Sequence, residues 1–385
     1  MRILQLGKFY PIRGGVEKVM WSFTLGLAQR GVACDMLCAM LKTDKVDAVH
    51  EKMASKTKDG TVITLGPQNR VICVPAITKK AATMISPAMI RWMRQHANEY
   101  DIIHVHHPDP MAALALRLSG YKGRVILHWH SDIVAQKFLL TFYLPLQEWL
   151  IQRSERIIGT TPIYLESSPA LRKVQEKTTC VPIGIEPVIY DEKRAEQFRS
   201  LYPGKKIIFA LGRLVPYKGF EYLVDAADYL PDDYMVLIGG VGPLHDDLQE
   251  RIQRGRLQKK VRLLGYIKSD ILPELFGGCD VFVMSSLMKT EAFGIVQIEA
   301  MSCGKPVVAT TIPGSGVSWV NENGFSGINI PPRDPRSLAM AIHAVCAEED
   351  VYQRFSEGAR DRYERSFTSR IMIDRIIRIY ENEDY

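Results

Sequence analysis

The sequence lacks a long apolar run, a secretory leader and a paired set of cysteines. No stretch reaches the roughly 18 apolar residues that a membrane-spanning helix needs. The apolar start ILQLG is too short for a signal peptide and is followed by Lys8 and Arg13. We therefore expect a cytoplasmic protein.

Cysteine is scarce, odd in number and scattered, which excludes a disulfide framework. Cys34 and Cys38 are the only close pair, and no second pair completes a zinc site. We expect reduced, mostly buried thiols and no metal ion. The seven cysteines stand at positions 34, 38, 73, 180, 279, 303 and 346.

Length and charge indicate two domains of different character. A chain of 385 residues exceeds what one hydrophobic core usually supports. Residues 1–185 carry 24 Lys and Arg against 14 Asp and Glu, whereas residues 186–385 carry 25 against 29. The basic first half suggests an anionic partner, either a phosphate-bearing substrate or an anionic membrane surface, with ordinary solubilising lysines as the alternative. Nothing indicates a nucleic-acid partner or an oligomeric state.

Short apolar runs alternate with helix-like stretches along the whole chain, which predicts an α/β protein with two parallel, doubly wound sheets. The first series of runs is Arg2 to Leu6, Ala33 to Cys38, Val71 to Val74, Ile102 to Val105, Val125 to His128, Ile157 to Gly159 and Thr179 to Ile183. The second series begins at Lys206 with IIFALG and continues with MVLIGG, VRLLG, DVFVMSS and PVVAT.

The domain limits follow from these two series. We predict an N-terminal domain at 1–187, a polar linker at 188–204 and a second domain at 205–367. Residues 368–385 carry apolar residues at helical spacing and predict a closing helix able to pack back on the first domain. Because ligands of open parallel sheets bind at the carboxyl ends of the strands, informative residues should follow strands.

Glycines and histidines follow strands of the first series. Gly14 and Gly15 sit in a turn that enters a helix, where free backbone N–H groups suit a phosphate, although a plain tight turn is the competing interpretation. This turn is not a GxGxxG fingerprint, so a nicotinamide or flavin site is not supported. The five histidines favour hydrogen-bond donation to a sugar or phosphate over metal binding, with buried structural histidines as the alternative for two of them, positions 104 and 128. These histidines are His104, His106, His107, His128 and His130.

Charged residues follow strands of the second series. Gly212 and Arg213 come directly after the run IIFAL, and Lys218 lies just before a helix. Arginine offers a planar fork and lysine a point charge, so together they can neutralise a diphosphate.

The segment EAFGIVQIE places Glu291 in a strand-to-helix loop and Glu299 within the following helix. The helix start near Gly294 suits a diphosphate, and the carboxylates can accept hydrogen bonds from sugar and ribose hydroxyls. A solvated pair of glutamates would look the same in isolation.

The segment from Lys137 to Arg153, KFLLTFYLPLQEWLIQR, is very apolar. It predicts either a core helix or a peripheral face that meets an anionic membrane.

The order of several motifs along the chain resembles that of the retaining glycosyltransferases of family 4. These motifs are Gly14-Gly15, His130, GRL with YKG, LIGGVGP, LLGYI, EAFGIVQIE and SCGKPVVAT. The resemblance covers essentially the whole chain and is strongest from Ile207 to Pro332. It implies the GT-B architecture, in which two Rossmann-like domains face each other across a cleft. The domain at 1–187 would then be the acceptor domain, and the domain at 205–367 the nucleotide-sugar domain. The string IPGSGVSWVNENGFSGINIPPRDP resembles bacterial transferases that build O-antigen and other surface polysaccharides.

The resemblance also implies residue roles. It gives catalytic roles to His130, beside the reacting carbon, and to Arg213, Lys218 and Glu291. The donor-binding set that it implies is Gly14, Gly15, Gly212, Arg213, Lys218, Gly265, Tyr266, Ile267, Glu291, Ala292, Phe293, Gly294, Ile295 and Glu299, with Glu299 on the ribose hydroxyls.

The implied function is transfer of mannose from GDP-mannose to a polyprenyl-diphosphate-linked glycan, with retention of configuration and without a metal ion or cofactor. A UDP-sugar donor on the same fold is one alternative. A GT-B scaffold that acts as a regulatory subunit is the non-enzymatic one.

Overall fold

The computed structural model describes residues 1–12, 14–80, 83–133 and 137–383, and at residues 137–142 it describes the backbone alone. The chain forms two compact units. The first comprises Met1–Ile183 with Ser369–Tyr385, and the second comprises Gly184–Thr368.

The described residues contain 17 strands in three sheets. The strands are β1 (Arg2–Phe9), β2 (Ala33–Leu41), β3 (Ala54–Thr57), β4 (Gly60–Gly66), β5 (Asn69–Ala76), β6 (Thr78–Lys80), β7 (Thr83–Ile85), β8 (Ile102–His107), β9 (Arg124–Trp129), β10 (Arg156–Gly159), β11 (Thr178–Cys180), β12 (Lys206–Leu211), β13 (Tyr234–Gly239), β14 (Val261–Gly265), β15 (Val281–Met284), β16 (Val307–Thr310) and β17 (Gly327–Ile330).

The described residues also contain 14 α-helices. They are α1 (Gly15–Gln29), α2 (Pro87–His96), α3 (Pro110–Ser119), α4 (Lys137–Arg153), α5 (Pro162–Ser167), α6 (Glu192–Ser200), α7 (Phe220–Tyr229), α8 (His245–Arg254), α9 (Leu272–Gly278), α10 (Ile295–Ser302), α11 (Val317–Val320), α12 (Pro335–Cys346), α13 (Glu349–Ser366) and α14 (Ser369–Glu381).

The sheet of the first unit has the strand order β11-β10-β9-β8-β1-β2-β5-β4-β3. Seven neighbouring strands, β11 to β5 in that order, pair in parallel, as the sequence predicts. The antiparallel edge formed by β3 and β4 and the separate hairpin of β6 and β7 are additions that the alternation pattern did not show. Their strands are short and half exposed, so they lack the continuous apolar runs of buried parallel strands.

The sheet of the second unit is parallel throughout, in the order β14-β13-β12-β15-β16-β17. Successive side chains of a strand face opposite layers. On β12, Ile208 and Ala210 join one hydrophobic cluster, while Phe209 packs edge-to-face on Phe276 and Phe282. Both faces of the sheet are therefore covered, as a parallel sheet requires.

The segment at 188–204 is not the free linker that its polar composition predicts. It contains helix α6, which packs on α9 within the second unit. Arg194 pairs with Glu274 at 3.2 Å, and Arg199 pairs with Asp280 at 2.9 Å. These ion pairs explain why a highly charged segment nevertheless forms an ordered helix.

The last helix, α14, belongs to the first unit and packs on α1. Its buried residues follow the helical spacing seen in the sequence. Arg124 donates hydrogen bonds to the carbonyl oxygens of Tyr380 and Ile379, which are among the orphan acceptors at the end of the helix. The buried set is Met372, Ile373, Ile376, Ile379 and Tyr380.

Helix α4 has the bounds that the sequence indicates. In its described part, Tyr143, Leu150 and Ile151 are buried while Leu144 is 46% exposed. This part supports the core interpretation, and the side chains at 137–142, on which the membrane interpretation also rests, lie outside the described residues. Within the parts of the chain that are described, no helix combines the length and the hydrophobicity needed to cross a bilayer.

Candidate active site

The strand order of the second unit creates one natural ligand position. The chain runs outward from β12 to β13 and β14, then returns to the other side of β12 with β15, β16 and β17. At such a reversal the loops that follow the two central strands diverge and leave a crevice at their carboxyl ends. The two loops concerned are those after β12 and β15.

The loop after β12 brings Lys218 toward β15. It forms a short 3-10 helix, Pro216–Lys218, which ends at Gly219 with a φ of 64°. The Ser285 hydroxyl donates to the carbonyl oxygen of Lys218 at 3.0 Å, and a Cβ at position 219 would collide with the Ser285 carbonyl oxygen. Glycine is therefore required for this close approach of the two loops.

The loop after β15 carries Glu291, whose carboxylate meets the lysine directly. Lys218 Nζ lies 2.5 Å from Glu291 Oε2, and both side chains are only 13% exposed. The Ser286 hydroxyl donates to the same oxygen at 3.3 Å, and Ser315 donates to the Glu291 carbonyl oxygen. The sequence predicted both charges for the donor site, and the structure shows that the two side chains form an ion pair with each other.

Arg213 differs from Lys218 because it is exposed. Among the described residues its guanidinium makes no ion pair and no side-chain hydrogen bond. Its neighbour Gly212 is held by a backbone hydrogen bond to Gly239 at 3.0 Å, so the arginine extends from a fixed point of the loop. An available guanidinium at the end of β12 suits a phosphate group.

Helix α10 starts where the sequence indicates, with Gly294 at its N-cap and a φ of 79°. Phe293 is 3% exposed and packs edge-to-face on Phe367. Because the side chain is buried, a donor-binding role of Phe293 would fall to its backbone. The neighbours Ala292, Ile295 and Glu299 are partly exposed.

The third segment that the sequence predicts to bind the donor is Gly265, Tyr266 and Ile267, at the end of β14. Gly265 has a φ of 66° and accepts a hydrogen bond from the Gly240 N–H at 2.8 Å. Tyr266 is 75% exposed. Since β14 lies two strands away from β12, this segment stands apart from the Lys218–Glu291 ion pair along the sheet.

In the first unit, Gly14 is the N-cap of α1 and Gly15 is its first residue. A Cβ at position 14 would meet the carboxylate of Glu17, which is the end of a side chain that can move aside, and the φ of Gly14 is −95°. Gly15 is exposed at the start of a 15-residue helix, where backbone N–H groups lack intrahelical partners. The structure therefore shows the turn into a helix that the sequence predicts, and phosphate binding there stays a prediction.

The strand order of the first unit reverses between β1 and β8, and four of the five histidines gather beside that reversal in a stacked cluster. His130 Nε2 lies 2.8 Å from His106 Nδ1, and His106 Nε2 lies 2.6 Å from Gln5 Oε1. Gln5 Nε2 lies 3.2 Å from Tyr380 Oη, which lies 2.5 Å from His104 Nδ1. We call these five side chains the His130 network.

Burial governs the charge of the cluster. Removal from water lowers the pKa of His104, His106 and His130 well below the ordinary value of 6.5. The same desolvation lowers the pKa of His107 and of His128 to about 3. All five imidazoles are therefore neutral at pH 7.

A metal site would need ring lone pairs that converge on one point. The ligand nitrogens of His106, His128 and His130 lie within 4.8 Å of one another. However, the rings of His128 and His130 are parallel within 2° with centroids 4.1 Å apart, so their lone pairs lie in separate stacked planes. The arrangement suits hydrogen bonding better than metal coordination.

Several residues of these sites were not predicted from the sequence. Ser286 and Ser315 hold Glu291, and Gln5 and Tyr380 extend the network of His130. A lone glutamine inside the apolar strand ILQLG was the one available signal, because a buried amide needs partners. Tyr380 looked like one more apolar position of an amphipathic helix.

Two Rossmann-like units, each with polar loops at the reversal of its strand order, are the architecture expected of a GT-B glycosyltransferase. Residues 191–362 match the family described as "Glycosyl transferases group 1", and residues 13–188 match the one described as "Glycosyltransferase Family 4". The chain belongs to glycosyltransferase family 4, and it is a glycosyltransferase.

Two bacterial glycosyltransferases are similar to this chain over most or all of its length. The chain is 31% identical to O-antigen chain mannosyltransferase C of Escherichia coli over 386 residues, covering 99% of this chain and 98% of that protein. It is 30% identical to D-rhamnosyltransferase WbpZ of Pseudomonas aeruginosa, covering 75% of each chain. The sequence-based resemblance to bacterial surface-polysaccharide transferases is thereby confirmed.

Solved structures confirm the fold. The Anabaena protein Alr3699/HepE, in complex with UDP, superposes with a TM-score of 0.78 at 20% identity and covers 99% of this chain and 100% of its own. Sucrose-phosphate synthase of Thermosynechococcus elongatus gives a TM-score of 0.77 at 22% identity, with 99% of both chains covered.

Proposed function

We propose that this glycosyltransferase moves mannose from GDP-mannose to a polyprenyl-diphosphate-linked glycan in the synthesis of an O-antigen-type surface polysaccharide. The observation that carries the proposal is the full-length similarity to an O-antigen chain mannosyltransferase. The ion pair of Lys218 and Glu291 at the strand reversal supports an active donor site. A regulatory scaffold would have no use for such a pair.

The donor diphosphate would be held by positive groups at the end of β12. Arg213 is exposed and Lys218 lies in the next turn of the same loop. The start of α10 at Gly294 adds backbone N–H groups with partial positive charge. These groups stabilise the negative charge that develops on the diphosphate as it departs, so the reaction requires no metal ion.

The proposed reaction retains the anomeric configuration. The bond between the anomeric carbon and the diphosphate oxygen breaks through an oxocarbenium-like state. The acceptor hydroxyl oxygen bonds to the same face of that carbon, and its proton passes to the departing phosphate oxygen. His130 stands beside the reacting carbon in this proposal, and Glu299 holds the ribose hydroxyls.

The acceptor would approach from a membrane surface. The first unit holds most of the excess positive charge, since residues 1–185 carry 24 basic against 14 acidic residues. Such a unit is attracted to anionic lipids that surround a polyprenyl-linked glycan. Peripheral association on the cytoplasmic side therefore accompanies the proposal.

Donor identity is tested by ligand-induced thermal stabilisation, because a ligand that binds the folded state raises the melting temperature. We expect GDP-mannose to raise it, and UDP-glucose, UDP-GlcNAc and ADP-glucose to leave it unchanged. Stabilisation by UDP compounds alone would refute GDP-mannose in favour of a UDP-sugar. D-rhamnose is 6-deoxy-D-mannose. A larger stabilisation by GDP-D-rhamnose than by GDP-mannose would instead favour D-rhamnose transfer, the activity for which the Pseudomonas relative is named.

A further inference from the structure

The five side chains of the His130 network form an unbroken line of hydrogen bonds inside the first unit. Gln5 and His104 lie on adjacent strands as direct Cα partners, and His106 follows on the same strand. Tyr380 enters from α14, 375 positions away from Gln5 in the chain. Tyr380 is 1% exposed, Gln5, His104 and His106 are fully buried, and His130 is 7% exposed. Along such a line each hydrogen bond joins one donor to one acceptor, so the direction of one bond constrains the direction of the next.

The Gln5 amide has a defined orientation in the structure. Its nitrogen donates to the Tyr380 hydroxyl at 3.2 Å and also lies 3.8 Å from the Cys34 sulfur, which is only a weak acceptor. The amide nitrogen therefore faces Cys34 and Tyr380, and the amide oxygen faces His106. An amide oxygen accepts only, so His106 must carry its proton on Nε2.

The proton on His106 Nε2 determines where the other groups of the network carry their protons. Neutral His106 has a single N–H, so its Nδ1 accepts and His130 must donate from Nε2. On the other side, the Gln5 amide donates to the Tyr380 hydroxyl, and Tyr380 donates its own hydrogen to His104 Nδ1. All four hydrogen bonds run in one direction, from His130 to His104. The proton of His130 thus stays on Nε2, and Nδ1 keeps a free lone pair.

We propose that Gln5 and Tyr380 are positioning residues that fix His130 as its Nε2–H tautomer, so that Nδ1 accepts a hydrogen bond from a hydroxyl group of the bound sugar. The proposal rests on the role of His130 in the proposed function. The polarity proposed for His130 is opposite to the one expected from the sequence, in which histidine donates to a sugar or phosphate. A bare imidazole lone pair repels a phosphate oxygen, so the partner of His130 is a sugar hydroxyl.

The tautomer is measured directly by two-bond proton–nitrogen NMR correlations on protein labelled with 15N-histidine. The chain has nine histidines, and a His130→Gln sample assigns the signal of His130. We expect the unmodified protein to show the His130 proton on Nε2. A proton on Nδ1 overturns the proposal.

Two variants interrupt the network at different points. Gln5→Met removes the acceptor of His106 with little change in shape, and Tyr380→Phe removes only a hydroxyl. In both we expect His130 to become a mixture of tautomers and kcat to fall about tenfold, while KM for the nucleotide sugar stays within about twofold. Unchanged tautomer and unchanged kcat in both variants also overturn the proposal.

Tyr121→Phe is the matched control for a buried hydroxyl. Tyr121 is 6% exposed and donates to the carbonyl oxygens of Tyr100 and Asp101, outside the His130 network. We expect it to lose stability without any change in the His130 tautomer or in kcat. Because the tautomer is read without a substrate, failure of the donor assignment would leave this result intact and the two failures are distinguishable.

Discussion

At the residue scale, the ion pair of Lys218 and Glu291 sets how the donor site binds an anion. Two charges that are 13% exposed and in contact have lost most of their water, so they compensate each other. A diphosphate that recruits Lys218 must compete with the carboxylate. In the proposed function, release of Glu291 by that exchange would leave an acceptor for the hydroxyl groups of the donor sugar.

Glu291→Gln tests this competition. The amide keeps the shape of the side chain but no longer holds the lysine, so we expect GDP to bind about threefold to tenfold more tightly. Turnover should fall at least about tenfold because the sugar loses its carboxylate partner. Isothermal titration calorimetry and initial rates measure the two effects.

Two further variants serve as comparisons for the effect of Glu291→Gln on GDP binding. Lys218→Met should weaken GDP binding about tenfold or more, since a charged donor to the phosphate is lost. Arg254→Ala breaks an exposed ion pair with Glu250 and should leave GDP binding unchanged. If Glu291→Gln weakens GDP binding as Lys218→Met does, the carboxylate supports the nucleotide rather than competing with it.

At the element scale, the turn between β12 and α7 controls how the two donor loops meet. Gly219 has a φ of 64° and abuts the carbonyl oxygen of Ser285. Gly204 has a φ of 69°, but a Cβ added there would meet no atom of the described residues within 4 Å, so it shares the backbone strain without the collision. Substitutions at these two glycines therefore distinguish the effect of backbone strain from the effect of the steric collision.

We expect Gly204→Ala to cost about 1 kcal/mol of unfolding free energy through left-handed strain alone. Gly219→Ala should cost more, because the loop after β15 must also move away, and it should weaken GDP binding. Urea unfolding and calorimetry measure these effects. Equal losses in the two variants, with GDP binding intact in both, would show that the loop contact does not matter to the donor site.

At the scale of the whole molecule, five neutral histidines make the stability of the fold dependent on pH. Burial lowers the pKa of His107 and of His128 to about 3, against an ordinary value of 6.5. Between these two values the unfolded chain binds protons that the folded chain does not. Stability is therefore complete above about pH 6.5 and is lost as the pH falls toward 3, by up to about 1.4 kcal/mol per pH unit for each histidine.

His128→Leu tests this linkage. Neither ring nitrogen of His128 has a hydrogen-bond partner among the described residues, so an apolar replacement breaks no hydrogen bond. We expect the slope of unfolding free energy against pH, between pH 4 and 6, to decrease by the share of one histidine, about 1.4 kcal/mol per pH unit. Urea unfolding at several pH values gives the slope. Identical slopes would mean that His128 is protonated in the folded state.

Much of the architecture was predictable from the sequence, since buried parallel strands read as continuous apolar runs. The runs near Arg2, Ile102 and Val281 all became strands, and EAFGIVQIE became a loop followed by α10. The polar segment at 188–204 was misassigned because the ion pairs that order α6 join residues about 80 positions apart. Charge composition alone cannot show such partners.

The sequence by itself determined the class of protein, because strand periodicity and ordered loop motifs are local properties of the chain. The tertiary structure decided which side chains meet. It paired Lys218 with Glu291, turned Phe293 into the core and brought Tyr380 of the last helix to Gln5 of the first strand. These contacts depend on sheet order and on the return of α14 to the first unit, which periodicity leaves undetermined.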